Sequence, residues 1–90
     1  MSTIGELIRD HLAMPFPASV SKGDVYGRVD SVMIGADICG WAMRAPRLLI
    51  DERERLASAR DDLRESLGYF PPEAQPYFAL LVRIADEALS

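Results

Sequence analysis

The sequence predicts an all-α fold: a compact four-helix domain with a long irregular connection between helices 1 and 2. Apolar residues recur at helical spacing in four separate segments. Those segments are bounded by capping residues, prolines or glycines. β-Branched residues are dense in one short stretch, Val25 to Ile34. That stretch supports an alternative, an α+β fold with a short strand or hairpin near 25–34.

Ser2 or Thr3 can cap the first helix, and Thr3 with Glu6 offers the Ser/Thr-x-x-Glu capping box. Ile4, Leu7, Ile8 and His11 then share one helical face. Pro15 ends the helix, because the residue before a proline is pushed out of the α region. The connection PFPASVSKGDVYGRV follows, with two prolines and two glycines. Such a long loop is often functional in a small domain. The cost of exposing large apolar side chains favours a plainer role, with Phe16, Val20 and Val25 folded back over the core.

Asp30 or Ser31 can cap the second helix, whose body is SVMIGADICGWAMRA. Val32, Met33, Ala36, Gly40 and Met43 lie on one side, and Ile34, Ile38 and Trp41 on another. A helix apolar nearly all round is expected at the centre of a fold. Gly35 and Gly40 each cost about 1 kcal/mol against alanine inside a helix. The expected offset is the close approach of a neighbouring backbone.

Pro46 separates this element from the third, Asp51 to Leu67, which is rich in good helix formers. Leu49, Leu56, Leu63 and Phe70 repeat every seven residues, with Ala59 and Leu67 between them. The opposite face offers Asp51–Arg55 and Asp61–Arg64 as pairs along the helix, and Gly68 suits a left-handed C-cap. The fourth helix starts near Glu73, since prolines fit a first turn. Phe78, Leu81, Val82, Ala85 and Leu89 mark one face, and Tyr77, Leu80 and Ile84 a second. With both faces apolar, this helix is either central or offers one side to a partner.

Ninety residues, 49% apolar and 27% charged, make one globular domain spanning 1–90. A single cysteine forms no internal disulfide and suits a reducing compartment. The N-terminus lacks a signal peptide's basic and apolar regions, and no run approaches a membrane helix, so the expected location is cytoplasmic. The net charge of −4 argues against nucleic acid. A helix-turn-helix would fit the helix count but not that charge. Nine of the ten basic residues are arginine and eleven residues are alanine. This bias matches GC-rich coding and lowers the weight of an arginine-based recognition role.

Cys39, mid-helix and far in sequence from His11, lacks the helix N-terminus or basic neighbour that makes a thiolate; it is expected to pack as a small hydrophobe. His11, near a helix C-terminus, suits a cation on the macrodipole. One His and one Cys make no zinc set. Asp37 in an apolar helix needs a partner, neutrality or exposure. An ion pair with Arg44, Arg47 or Arg60 is weighed above an acidic metal site with Asp24 and Asp30. Trp41 fits the core or an interface. The local signatures of phosphate, dinucleotide, zinc-protease and serine-hydrolase sites are absent.

Through DSVMIGADICGW, DERERLASARDDL and AQPYFALLVRIADEAL, the chain resembles a group of small uncharacterised helical proteins of high-GC soil bacteria. Those carry an apolar "DAD-x-A-G-C", a charged helix and a late "YF-x-R-L". Here the first reads GADICGW, with Gly35 for the first acid and Cys39–Gly40 in swapped order; the last reads YFALL, without the arginine. The resemblance implies one helical domain and carries no site.

The expected function is therefore a small acidic non-enzymatic protein-interaction module, an accessory, immunity-type or regulatory protein acting by surface contact. Its partner is another protein, either a second copy or a different chain. The alternative is a small-molecule-binding helical domain with a pocket beside the 31–44 helix. Partner or pocket candidates are Asp37, Trp41, Tyr77, Leu80 and Ile84. No catalytic residue, metal or cofactor is expected.

Overall fold

A computed structural model describes residues 3–90. Its elements are α1 (Ile4–Ala13), β1 (Val25–Tyr26), β2 (Val29–Asp30), α2 (Met33–Ala42), α3 (Ile50–Ser66) and α4 (Gln75–Leu89). Two short 3-10 turns, Leu67–Tyr69 and Pro72–Ala74, join α3 to α4. The fold is a mainly helical four-helix domain, and β1 and β2 pair antiparallel in a minimal hairpin. Among the described residues, no helix is long and apolar enough to cross a membrane.

α4 is the central element, in contact with α1, α2 and α3. Phe78, Leu81, Val82, Ile84, Ala85 and Ala88 are all buried. They meet Leu7 and Ile8 of α1, Ile34 and Ile38 of α2, and Leu56 and Leu63 of α3 in one core. Two polar fastenings tie α3 to α4. Asp86 accepts from Arg60 at 3.3 Å and from Arg64 at 2.9 Å, and Arg53 donates to the Leu89 carbonyl at the end of α4. Arg64 thus reaches across to α4, and Arg60 holds both Asp61 on α3 and Asp86 on α4, where the sequence predicts Asp51–Arg55 and Asp61–Arg64 along the helix.

α1 begins with the full capping box of Thr3 and Glu6; Ser2, the other predicted cap, lies outside the described residues. The long connection does fold back, but selectively. Val20 is buried and Phe16 half-buried, whereas Val25 is exposed on the hairpin. Ser31 is buried, and its hydroxyl donates to the Ser21 carbonyl, so it holds the loop while Asp30 caps α2. The Asp30 carboxylate accepts from the backbone N–H of Val32 and of Met33. Tyr26 stacks on Phe70, which stacks on Phe78 at 3.9 Å between centroids. This column carries the hairpin onto the core.

Gly27 makes the hairpin turn at φ +63°, and a Cβ there would come within 3.0 Å of the Ser66 and Tyr69 side chains. Left-handed backbone and close approach both demand glycine here. The adjacent Arg28 N–H donates to the buried Ser66 hydroxyl at 3.0 Å. Gly68, by contrast, has no positive φ; α3 ends by tightening into the 3-10 turn instead of a left-handed cap. Leu49, first of the predicted heptad positions, is exposed ahead of α3, while Leu56, Leu63 and Phe70 are buried.

The largest departure concerns α2, which is not the central helix. It buries one stripe, Ile34, Ile38 and Ala42, and leaves Val32, Met33, Ala36, Asp37, Gly40 and Met43 exposed. No backbone crowds its glycines. A Cβ on Gly35 would make an ordinary 3.5 Å contact with Leu81, and one on Gly40 would meet nothing within 4 Å.

Candidate functional site

The outer face of α2 joins an open groove of about 500 Å³ between α2, the hairpin and α3. Ile34 and Ala59 supply apolar lining, with Met33, Asp37 and Trp41 on the α2 side and Arg55 and Asp62 on the α3 side. Asp30 fixes this geometry by starting α2 where the hairpin ends. From there one helical turn separates Met33 from Asp37, and another separates Asp37 from Trp41.

Asp37 is exposed. None of the predicted arginines pairs with it: Arg44 bonds Glu52, and Arg60 bonds Asp61 and Asp86. The expected ion pair is therefore absent, and exposure, the third of the ways an apolar helix can carry a carboxylate, accommodates the charge. Among the described residues Arg55 is likewise outside every ion pair, whereas Arg28 lies 3.5 Å from Asp62 and 3.6 Å from Glu65. The groove thus offers an uncommitted acid and an uncommitted base on opposite walls, with an indole beside them. Trp41 is half-buried and packed against the core, with part of its ring left to the groove.

The other three candidates do not join them. Tyr77 lines a separate cavity of about 180 Å³ between α1, α2 and α4, with His11, Phe16 and Cys39. Leu80 is half-buried against the core. Ile84 is fully buried, so it is unavailable to any partner, and neighbours cover the second apolar face of α4 in part, leaving Tyr77 and Leu80 half-buried.

His11 also departs from expectation. It is 4% exposed, its ring stacks 4.3 Å from Tyr77, and neither ring nitrogen has a hydrogen-bond partner. Burial pushes its pKa below the ordinary 6.5, so at pH 7 it is a neutral core ring and not a cation on the helix dipole. Burial pushes the Cys39 thiol up. It raises Tyr77 as well, with the neighbouring Cys39 adding to that shift. A thiol held protonated is a poor nucleophile. Asp24, Asp30 and Asp37 form no cluster, and among the described residues no group of three or more His, Cys, Asp or Glu side chains could hold a metal ion.

Of the eleven groove residues sequence reasoning named only Asp37 and Trp41 as site candidates; Arg55 and Met33 are among those it missed. Met33 lies one turn before Asp37, but only the burial of the opposite stripe shows which way it faces. No protein-family model, curated protein or solved structure matches the chain. The functional reading therefore rests on chemistry and shape.

Proposed function

We propose that the protein is a small non-enzymatic protein-interaction module that docks a partner protein on the outer face of α2 and the adjoining groove. An accessory, immunity-type or regulatory role in the cytoplasm follows from that activity. The observation that carries this reading is the exposure of α2. Met33 and Met43 are 57% and 72% exposed on the helix that also presents Asp37 and Trp41. Exposed large apolar side chains gathered on a rigid element mark an interaction surface. Methionine adapts its shape to a partner, and tryptophan is enriched among anchoring residues.

The Asp37–Trp41 groove also supports a second reading, a small-molecule pocket. Sites of that kind bury most of their ligand's surface, and this groove is open along its length. Its shape favours a polypeptide segment.

The test is crosslinking capture from the source organism's extract with wild type and Gly40→Arg, whose new side chain enters open space on the outer face. Partner retention by wild type and its loss in the folded variant is the expected result. Equal retention by both overturns the reading, and a thermal-shift response to a metabolite with no protein captured transfers the groove to the second one.

A further inference from the structure

We infer that the partner covering the outer face of α2 is a second copy of this chain, in an antiparallel α2–α2 contact about a two-fold axis near Gly40. The inference rests on the reading of α2 as the interaction face and names its occupant.

Charge placement carries it. At 100° per residue, Met33, Asp37 and Gly40 fall on one side of α2, with Gly40 near the middle of its exposed face, and Arg44, in the turn just past the helix end, lines the same shallow depression as Asp37 and Gly40. Asp37 and Arg44 are the charged residues of that side, and both are exposed. They stand seven residues apart, Asp37 within α2 and Arg44 in the turn that follows it. In an antiparallel pair centred near Gly40, each Asp37 lies opposite the partner's Arg44, and the two-fold axis makes that contact twice. A parallel pair would set Asp37 against the partner's Asp37, so the charges select the antiparallel arrangement. A two-fold interface requires one patch to be complementary to itself, and this one is.

The remaining groups fit the same geometry. Asp37 has no ion pair among the described residues of its own chain. Arg44 is held by Glu52, yet a guanidinium has five N–H donors and keeps some for a second carboxylate. Nothing lies within 4 Å of the place a Gly40 Cβ would take, so two backbones can approach closely at the crossing point. The glycine that weakens the isolated helix thus gains a packing role in the pair. Met43 flanks the crossing, and Met33, seven residues from Gly40, reaches the segment that follows the partner's α2. A ten-residue helix supplies a small interface, so the dimer forms and dissociates in the micromolar range.

The experiment is sedimentation analysis of wild type, Asp37→Arg, Arg44→Asp and an equimolar mixture of the two variants, with folding checked by circular dichroism. Wild type is expected to pass from monomer to dimer over roughly 10 µM to 1 mM, the weak end expected of a small interface. Each variant replaces two opposite-charge contacts by two like-charge ones and is expected to dimerise about tenfold more weakly or worse. The mixture forms a heterodimer in which both contacts are again Arg against Asp, and it is expected to recover the wild-type affinity within a few-fold. A wild type that stays monomeric throughout, or a mixture no tighter than either variant alone, overturns the inference. If wild type is monomeric but captures a different protein in a Gly40→Arg-sensitive manner, the interaction module stands and only the second copy is excluded. With neither self-association nor capture, both fall.

Discussion

α2 and α4 look alike in sequence, each apolar on two sides and each containing residues a partner could use. The structure treats them differently. α4 contacts all three other helices and buries one face fully and Ile84 of the second, with Tyr77 and Leu80 half-buried, while α2 buries Ile34, Ile38 and Ala42 and leaves Met33 and Met43 in solvent. A helix's own pattern says how much apolar surface it owns. How much of it is covered depends on the number of neighbours, which the pattern does not contain.

Truncation should separate the two helices most strongly. Ile84→Ala is expected to lower stability by about 2–5 kcal/mol, as for other large-to-small core changes. Met33→Ala should stay within about 0.5 kcal/mol, as surface changes do. Urea unfolding measures both, and equal effects would erase the distinction between the helices.

The glycines sharpen it further. Gly27→Ala, forced into left-handed backbone against Ser66 and Tyr69, should cost about 1–3 kcal/mol. Gly40→Ala, with open space at its Cβ, should gain up to about 1 kcal/mol of helix stability in dilute solution. A loss there would mean that a neighbour crowds α2 after all.

The least effect near neutrality comes from the seam between α1 and α4, where His11 is buried neutral. Because its pKa is lowered by burial, the unfolded chain binds the proton more readily than the folded one. Its contribution is flat above about pH 7, and stability falls as pH drops through the ordinary 6.5 toward the lowered folded value. The difference between wild type and His11→Leu in thermal melts from pH 7.5 to about 5 isolates that slope. A parallel pair of curves would refute a neutral buried ring.

Much of this fold was legible in the residues. The capping box of Thr3 and Glu6, the breaks at Pro15 and Pro46, and the Leu56–Leu63–Phe70 repeat each report a local preference that tertiary packing kept. The hairpin at Val25–Asp30 was legible only as the alternative to helix, since its two-residue strands are too short to establish a period. What the residues could not convey was long-range. Arg64 chooses Asp86 on α4 over Asp61 on its own helix, Arg60 divides itself between Asp61 and Asp86, and Ser66 serves the hairpin. The candidate site was half legible. Asp37 and Trp41 do share a groove wall, because one turn separates them on any helix. Tyr77, Leu80 and Ile84 fell elsewhere, because their placement depends on what packs against α4.

The clasp between Arg28 and Ser66, with Gly27 seated against the same serine, has a kinetic consequence. It fastens the hairpin to the end of α3, so the groove's walls hold their spacing before any partner arrives. On the proposed docking reading, encounter would then need no preceding rearrangement, and its on-rate would be set by diffusion and orientation, as for other preformed surfaces. Lifetime, rather than speed of capture, is the quantity that changes on α2 would tune.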